Sequence, residues 1–439
     1  MSNTMIEQLP KYESYKDSGN DWFGSIPTHW DIKKLSHVFQ NIGSGTTPST
    51  SISSNYIPEV NWLQTGDLND GIIVKTSKKI SCSAYKNHST LKLYPAGSLV
   101  IAMYGATIGK LGLLNIETTT NQACCVLSGS RSVLPKYFFY CFLGFRKEII
   151  SLGYGGGQPN ISQEVIRSLR LPFPTIDEQE RICIYLDSYS KKIDEAIAIK
   201  QKQIELLKER KQIIIQQAVT QGLNPDAPMK DSGVDWIGQI PEHWGGVRFK
   251  NLFTQSRLPV RKGDGVVTSY RDGQVTLRSN RRVGGYTEAI LEGGYQGIRK
   301  GQLVLNSMDA FEGAIGVSDS DGKCTPEYVI CDPINSVNVS QYYFAYLLRE
   351  MALAKYIQVI CNAVRQRAVR IRYSNLAPLF MVVPPIKEQE DIVSFIEKES
   401  AQLDAGTKHL NEQISKLKEY KATLINSAVT GKIKVMELK

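Results

Sequence analysis

Three motifs in this chain of 439 residues set side chains at spacings that chemistry could use. Gly105-Ala106-Thr107-Ile108-Gly109-Lys110-Leu111 resembles a phosphate-binding loop, in which backbone amides and a lysine cradle a nucleotide. It has one residue too few between the glycines, and Leu111 stands where a magnesium-binding hydroxyl belongs. Val383-Pro384-Pro385-Ile386 carries the double proline of an amino-methyltransferase loop, without the Asn or Asp before it or the aromatic after it. His29 and His243 each precede a tryptophan. A general base needs a partner within hydrogen-bond reach, and no neighbour in sequence supplies one, so the expectation is a structural clasp of packed indoles and Gly/Pro turns.

The remaining searches also argue against catalysis. No GxGxxG, GxSxG or HExxH pattern occurs. The eight cysteines, Cys82, Cys124, Cys125, Cys141, Cys183, Cys324, Cys331 and Cys361, form no CxxC pair and have no histidine at ligand spacing. The expectation is buried free thiols in a reducing cytosol, with no metal and no cofactor in this chain.

Recognition chemistry is better represented. Lys and Arg exceed Asp and Glu by 52 to 43, a net charge of +9, which favours a polyanionic partner without requiring one. The planar ends of Arg, Gln and Asn fit base edges, whereas lysine acts as a point charge on phosphate. The expected DNA-contacting residues in the first half are Lys75, Lys78, Lys79, Lys86, Tyr104, Thr107 and Lys110, with Gln158 and Asn160 from a glycine-rich loop, 153–162. In the second half they are Arg271, Arg278, Asn280, Arg281, Arg282, Arg299, Lys300, Ser307 and Met308, with Arg365, Gln366, Arg367 and Arg370 from an arginine-rich loop. The alternative for both loops is a merely solvated surface.

The chain is a duplication. Lys16-Asp17-Ser18-Gly19-Asn20-Asp21-Trp22 through His29-Trp30 returns 214 residues later as Lys230-Asp231-Ser232-Gly233-Val234-Asp235-Trp236 through His243-Trp244. Pro174-Thr175-Ile176-Asp177-Glu178-Gln179-Glu180 returns 210 residues later as Pro384-Pro385-Ile386-Lys387-Glu388-Gln389-Glu390, and Ala218-Val219-Thr220 as Ala428-Val429-Thr430. Each repeat is a tryptophan motif, a body of short strands, and a long helix. In the bodies, Leu99 to Met103 and Leu303 to Met308 read as buried strands that end in unlike tips.

Between the second and third landmarks the apolar residues keep a heptad, the pattern of a coiled coil. Its seam runs through Ile193, Ile197, Ile204, Leu207 and Ile214 in one helix, and Leu403, Leu410, Ile414, Leu417 and Leu424 in the other. About 40 residues at ~1.5 Å per residue give helices of about 60 Å, which most simply pair with each other. Lys200, Lys211 and Lys421 also fall on the seam, where they would weaken packing and fix register. No apolar run approaches the length of a membrane span and the first residues lack an apolar signal core, so neither export nor a membrane span is expected.

These landmarks, the Lys-Asp-Ser-Gly-x-Asp-Trp-x-Gly-x-Ile-Pro-x-His-Trp motif, the Pro-x-Ile-x-Glu-Gln-Glu helix start and the Ala-Val-Thr helix end, make the chain resemble the specificity subunit of a type I restriction-modification system. The resemblance covers nearly the whole chain, and the bodies are the part expected to vary. It implies an α+β fold: two tandem α/β target-recognition domains separated by two long helices packed as an antiparallel coiled coil, pseudo-twofold symmetric. The expected segments are 1–30 with the first tryptophan motif, 31–176 the first recognition domain, 177–220 the central helix, and 221–244 the linker with the second motif. There follow 245–385 the second recognition domain, 386–431 the distal helix and 432–439 a tail.

The function it implies is non-catalytic recognition of an asymmetric bipartite target on double-stranded DNA, one half per domain, in the cytoplasm. The implied partners are two modification subunits, adenine methyltransferases using S-adenosylmethionine, and, where present, two restriction subunits, motor-nucleases using ATP and magnesium. A stand-alone DNA-binding regulator is the alternative and would bind its site tightly without partners. A cryptic enzyme would need an activity in the isolated chain.

Overall fold

A computed structural model of the chain describes residues 8–130, 132–154, 160–281, 294–335, 338–361 and 370–436. They form two compact units, one made of residues 1–201 and 411–439 and the other of 202–410. Each unit therefore holds a body and part of both long helices.

In the first unit the body is built on a five-stranded sheet, in the order Asn41–Ser44, Cys124–Ser128, Leu99–Ala102, Leu111–Leu114 and Gly71–Ile73. All pairings are antiparallel except the last. Leu99–Ala102 and Cys124–Ser128 are buried at every position, which explains their apolar sequence up to Ser128: both faces of these central strands are covered. One face packs Val100, Ala102, Cys124 and Val126 with Leu63, Leu68, Ile73, Tyr94 and Leu114. A helix, Pro135–Gly144, contributes fully buried Tyr137, Phe138, Cys141 and Phe142, and its proline sits in the first turn, where no intrahelical N–H is needed.

The second unit repeats the frame. Phe253–Gln255, Tyr328–Pro333, Leu303–Asn306 and Ile315–Val317 form a four-stranded antiparallel sheet in that order, and the helix Gln341–Leu353 supplies buried Tyr343, Phe344, Leu347 and Leu348. Among the described residues, the extra parallel strand of the first body has no counterpart in this sheet.

The long helices run over Ile176–Gln221 and Ile386–Val429, 46 and 44 residues, or about 70 and 65 Å at ~1.5 Å per residue. From Lys191 to Ile213 of the first, only seam positions, Ala196 and Gln212 escape full exposure. That is the narrow stripe of a helix with one slender partner. In the first unit Lys421 Nζ donates to Asp194 at 2.7 Å and Lys200 Nζ to Gln413; in the second, Lys211 Nζ donates to Asp404 at 2.7 Å. Leu207 also approaches Gly406, where an added Cβ would stand 3.5 Å from its methyl. In both units the pairing numbers rise on one helix as they fall on the other, so the paired segments run antiparallel. The seam lysines extend along the stripe and place their charges on acids or an amide of the opposite helix.

The repeated motifs are the joints of this frame. Gln179 and Gln389 are fully buried. Gln179 accepts the Leu134 N–H at 2.9 Å and donates to the Pro174 carbonyl at 3.0 Å, pinning the body helix to the start of the long helix. Gln389 does the same with the Ser340 N–H and the Pro384 carbonyl, at 2.9 and 2.8 Å. Glu178 takes hydrogen bonds from His29, at 2.9 Å, from the Trp30 indole and from Thr175; although burial raises its pKa, these bonds hold it below the usual carboxylate range. Glu388 meets His243 at 2.8 Å. The clasp expected at the histidines thus has a carboxylate partner about 150 positions away, and this Glu–His contact holds the tryptophan motif to the helix.

Each unit is closed by the end of the other repeat's helix. Tyr137 of the first body donates to the Val429 carbonyl at 3.3 Å, and Tyr343 of the second to the Val219 carbonyl at 2.9 Å. Just beyond, Gly431 packs on Pro27 and Trp30, and Gly222 on Pro241 and Trp244. Both glycines have positive φ, +72° and +77°, as the turn after a helix requires.

Seven cysteines are buried free thiols, as expected, but Cys82 is exposed at the start of a short helix. Among the described residues no helix is long and apolar enough to cross a membrane, and no cluster of His, Cys, Asp and Glu is arranged to hold a metal.

Candidate nucleic-acid interface

The two bodies end in tips built on the same three-way junction. In the first, Met103 follows the central strand; its N–H donates to the Ala123 carbonyl and its carbonyl accepts the Ile161 N–H, both at 2.8 Å. The connection from 103 to 110 is a turn between antiparallel neighbours, with positive φ at Gly105 and Gly109. No helix follows it, so the stretch that resembles a phosphate-binding loop lacks the helix N-terminus on which such a loop depends. Tyr104 is half-buried and pairs with the Gln122 side chain, and burial pushes its phenol above the usual value. Thr107 is half-buried and Lys110 exposed. Asn160 pairs its amide and carbonyl with Tyr154 and directly precedes Ile161, so it is delivered to the strand end beside Tyr104. Lys78 and Lys79 lie exposed on Lys78–Ile80, Lys86 on the helix Cys82–Asn87, and Lys75 on the connection before them. They decorate the smaller sheet of Thr119–Thr120, Val60–Leu63 and Lys78–Ile80.

In the second body four of the five described arginines expected to contact DNA face acids. Arg271 bridges Asp309, at 2.9 Å, and Glu312. Arg281 pairs with Asp272 at 2.8 Å and lies 4.2 Å over the Tyr270 ring. Arg370 pairs with Glu327 at 2.6 Å, and the same carboxylate takes the Ser307 hydroxyl at 3.2 Å. Arg299 corrects the expectation. Its side chain is only 13% exposed, pairs with buried Asp264 at 3.1 Å and donates to the carbonyls of Pro259, Ile298 and Gly322, so it braces the body from inside.

Arg278 is half-buried and donates to Thr268; Asn280 donates to Thr276; Lys300 and Met308 are exposed, while Ser307 is buried. Gln158, Arg282, Arg365, Gln366 and Arg367 lie outside the described residues. The structure therefore brings Tyr104 and Asn160 to one tip and Ser307, Met308 and Arg370 to the other, with the remaining candidates spread over the flanks. Glu327, Asp309 and Asp272, which orient arginines, escape a search for basic residues, and only contact across 9 to 43 positions reveals them.

Comparison with known proteins agrees with this frame. The family model of the type I restriction modification DNA specificity domain matches residues 27–208. The type I restriction enzyme MjaIX specificity subunit of Methanocaldococcus jannaschii is 28% identical over 195 residues, 42% of each chain. The chain thus spans less than half the length of that relative. The StySPI specificity subunit of Salmonella potsdam is 21% identical over 93% of this chain and 90% of its own. Among solved structures, a chain from work on complex assembly and conformational transition of the type I R-M system superposes with a TM-score of 0.68 at 15% identity, covering 92% of this chain and 98% of that one. The α+β fold is shared with that chain, and the sequence is similar to type I restriction enzyme specificity subunits over most of its length.

Proposed function

We propose that this chain is the non-catalytic DNA-specificity subunit of a type I restriction-modification complex. The bodies, over residues 31–176 and 245–385, read the two halves of an asymmetric bipartite target, and the long helices form one antiparallel coiled-coil spacer relating them by a pseudo-twofold. The observation that carries this reading is the pairing of identical joints with unlike tips: buried Gln179 and Gln389 sit in the same bonds, while the residues at the two strand ends differ in charge and size. A duplicated frame offers two equivalent docking surfaces, one for each of two modification subunits. Ile199, Leu206 and Ile213, exposed at seven-residue steps on the first long helix away from its seam, supply apolar area for such docking. Methyl transfer from S-adenosylmethionine, and any ATP- and magnesium-dependent restriction, would belong to the partner subunits.

The test is a genome-wide map of methyladenine in cells expressing this chain with its neighbouring modification subunit, against the modification subunit alone. A new asymmetric bipartite motif that needs this chain is the expected result. An assembled complex that creates no motif would refute the proposal and favour a stand-alone regulator.

A further inference from the structure

The backbone junction that supports each tip is the same in both bodies, bond for bond. In the second body Ser307 N–H donates to the Glu327 carbonyl and Ile371 N–H to the Ser307 carbonyl, both at 3.0 Å, reproducing the bonds of Met103 with Ala123 and Ile161. Ile161 and Ile371 are both fully buried. Met103 therefore corresponds to Ser307, Ala123 to Glu327 and Asn160 to Arg370. On one backbone these positions carry an uncharged set in the first body, a thioether, a methyl and a carboxamide, and a hydroxyl, a carboxylate and a guanidinium in the second.

Resting on the specificity reading above, we propose that these three positions are a discriminating node, and that in the second body Arg370, held by Glu327, reads a guanine in its half-site. The Glu327 carboxylate takes one edge of the guanidinium and is itself held by the Ser307 hydroxyl. With the Arg370 side chain still 49% exposed, the rest of the planar fork is available to solvent, and two such donors match guanine O6 and N7. The cavity beside the pair, about 540 Å³, also presents Arg257 and Arg372, both exposed, with Gln255 and Tyr328. Three guanidinium groups against one carboxylate make it a positive recess suited to phosphate-flanked bases. Stability gives the ion pair little to do. Exposed pairs contribute about 0–1 kcal/mol, and the backbone next to Arg370 is already anchored by buried Ile371 and its bond to Ser307.

The test uses the complex of the full chain with its modification subunits, bound at low salt to duplexes carrying each single substitution in the mapped target. Arg370→Ala is expected to lower discrimination at one guanine of one half-site by roughly 10- to 100-fold, leaving the other half-site intact. Arg370→Lys, which keeps charge without the fork, should not restore it, and Glu327→Gln should relax the same position partially. Equal weakening on every duplex, rescue by lysine, relaxation in both halves, or an unchanged preference would each overturn the assignment. Absence of any bipartite preference in the unmodified complex would instead overturn the specificity reading itself.

Discussion

Glu350 offers the sharpest quantitative test of how the second unit is held together. It lies in the body helix Gln341–Leu353, is 5% exposed, and both carboxylate oxygens accept from the side-chain nitrogen of Gln212 on the first long helix, at 2.7 and 2.6 Å. Burial raises its pKa to about 7, with the Gln212 hydrogen bonds and the charge of Arg349 offsetting part of the rise. Because the folded pKa lies above the unfolded value near 4.5, the folded state binds the extra proton. Stability is therefore lost as pH rises from about 4.5 to 7 and is flat above that. At about 1.4 kcal/mol for each tenfold in proton affinity, the full loss is roughly 3 kcal/mol. Glu350→Gln keeps the shape and an acceptor for Gln212 without the charge. It should match the unmodified protein near pH 4.5 and exceed it by up to about 3 kcal/mol at pH 8, read from urea midpoints by circular dichroism. Equal pH dependence in the two proteins would refute the argument that a buried, unneutralised carboxylate sits at this joint.

Two further outcomes follow from the frame. Gln179→Leu leaves the Leu134 N–H and the Pro174 carbonyl buried without partners; it should cost about 2–4 kcal/mol and speed hydrogen exchange at the start of the helix Pro135–Gly144. The matching start at Gln341 should be unaffected, and equal acceleration at both would contradict a local joint. Leu207→Asp puts a charge into the stripe against Gly406, and loss of the helical signal, or of co-elution with the modification subunits of the proposed complex, is expected; an unchanged helical signal and complex would count against the seam.

What was legible in the sequence was whatever repeats or has a period. The heptad positions Ile193, Ile197 and Ile204 are buried because a 3.5-residue pattern has one geometric solution, a narrow stripe facing another helix. Leu99–Ala102 was legible for the same kind of reason, an apolar run too short for a helix. The tips were not. Arg299 stands in a polar stretch and reads as solvent-facing, but its partner Asp264 is 35 positions away and decides that it is internal. His29 showed no partner because Glu178 lies across an entire body. Charge in a loop is a local property, whereas its fate depends on a pairing that only the folded topology supplies.

Closure of each unit draws on both repeats. The Tyr137 hydroxyl, Trp30 and Pro27 are covered by residues 429–431, and the Tyr343 hydroxyl, Trp244 and Pro241 by residues 219–222. A lone repeat has its tryptophan motif and its own long helix, but its body is closed by the tail of the other one. Without that tail, buried aromatic surface and a tyrosine hydroxyl would face water, and the heptad stripe would have no partner. Burial of an aromatic side chain stabilises by roughly 1.5–3 kcal/mol, so exposing several such groups would use up much of the 5–15 kcal/mol by which a domain is stable. Reciprocal closure thus couples the folding of each body to the helix end of the other repeat, while the tips take no part in the closure.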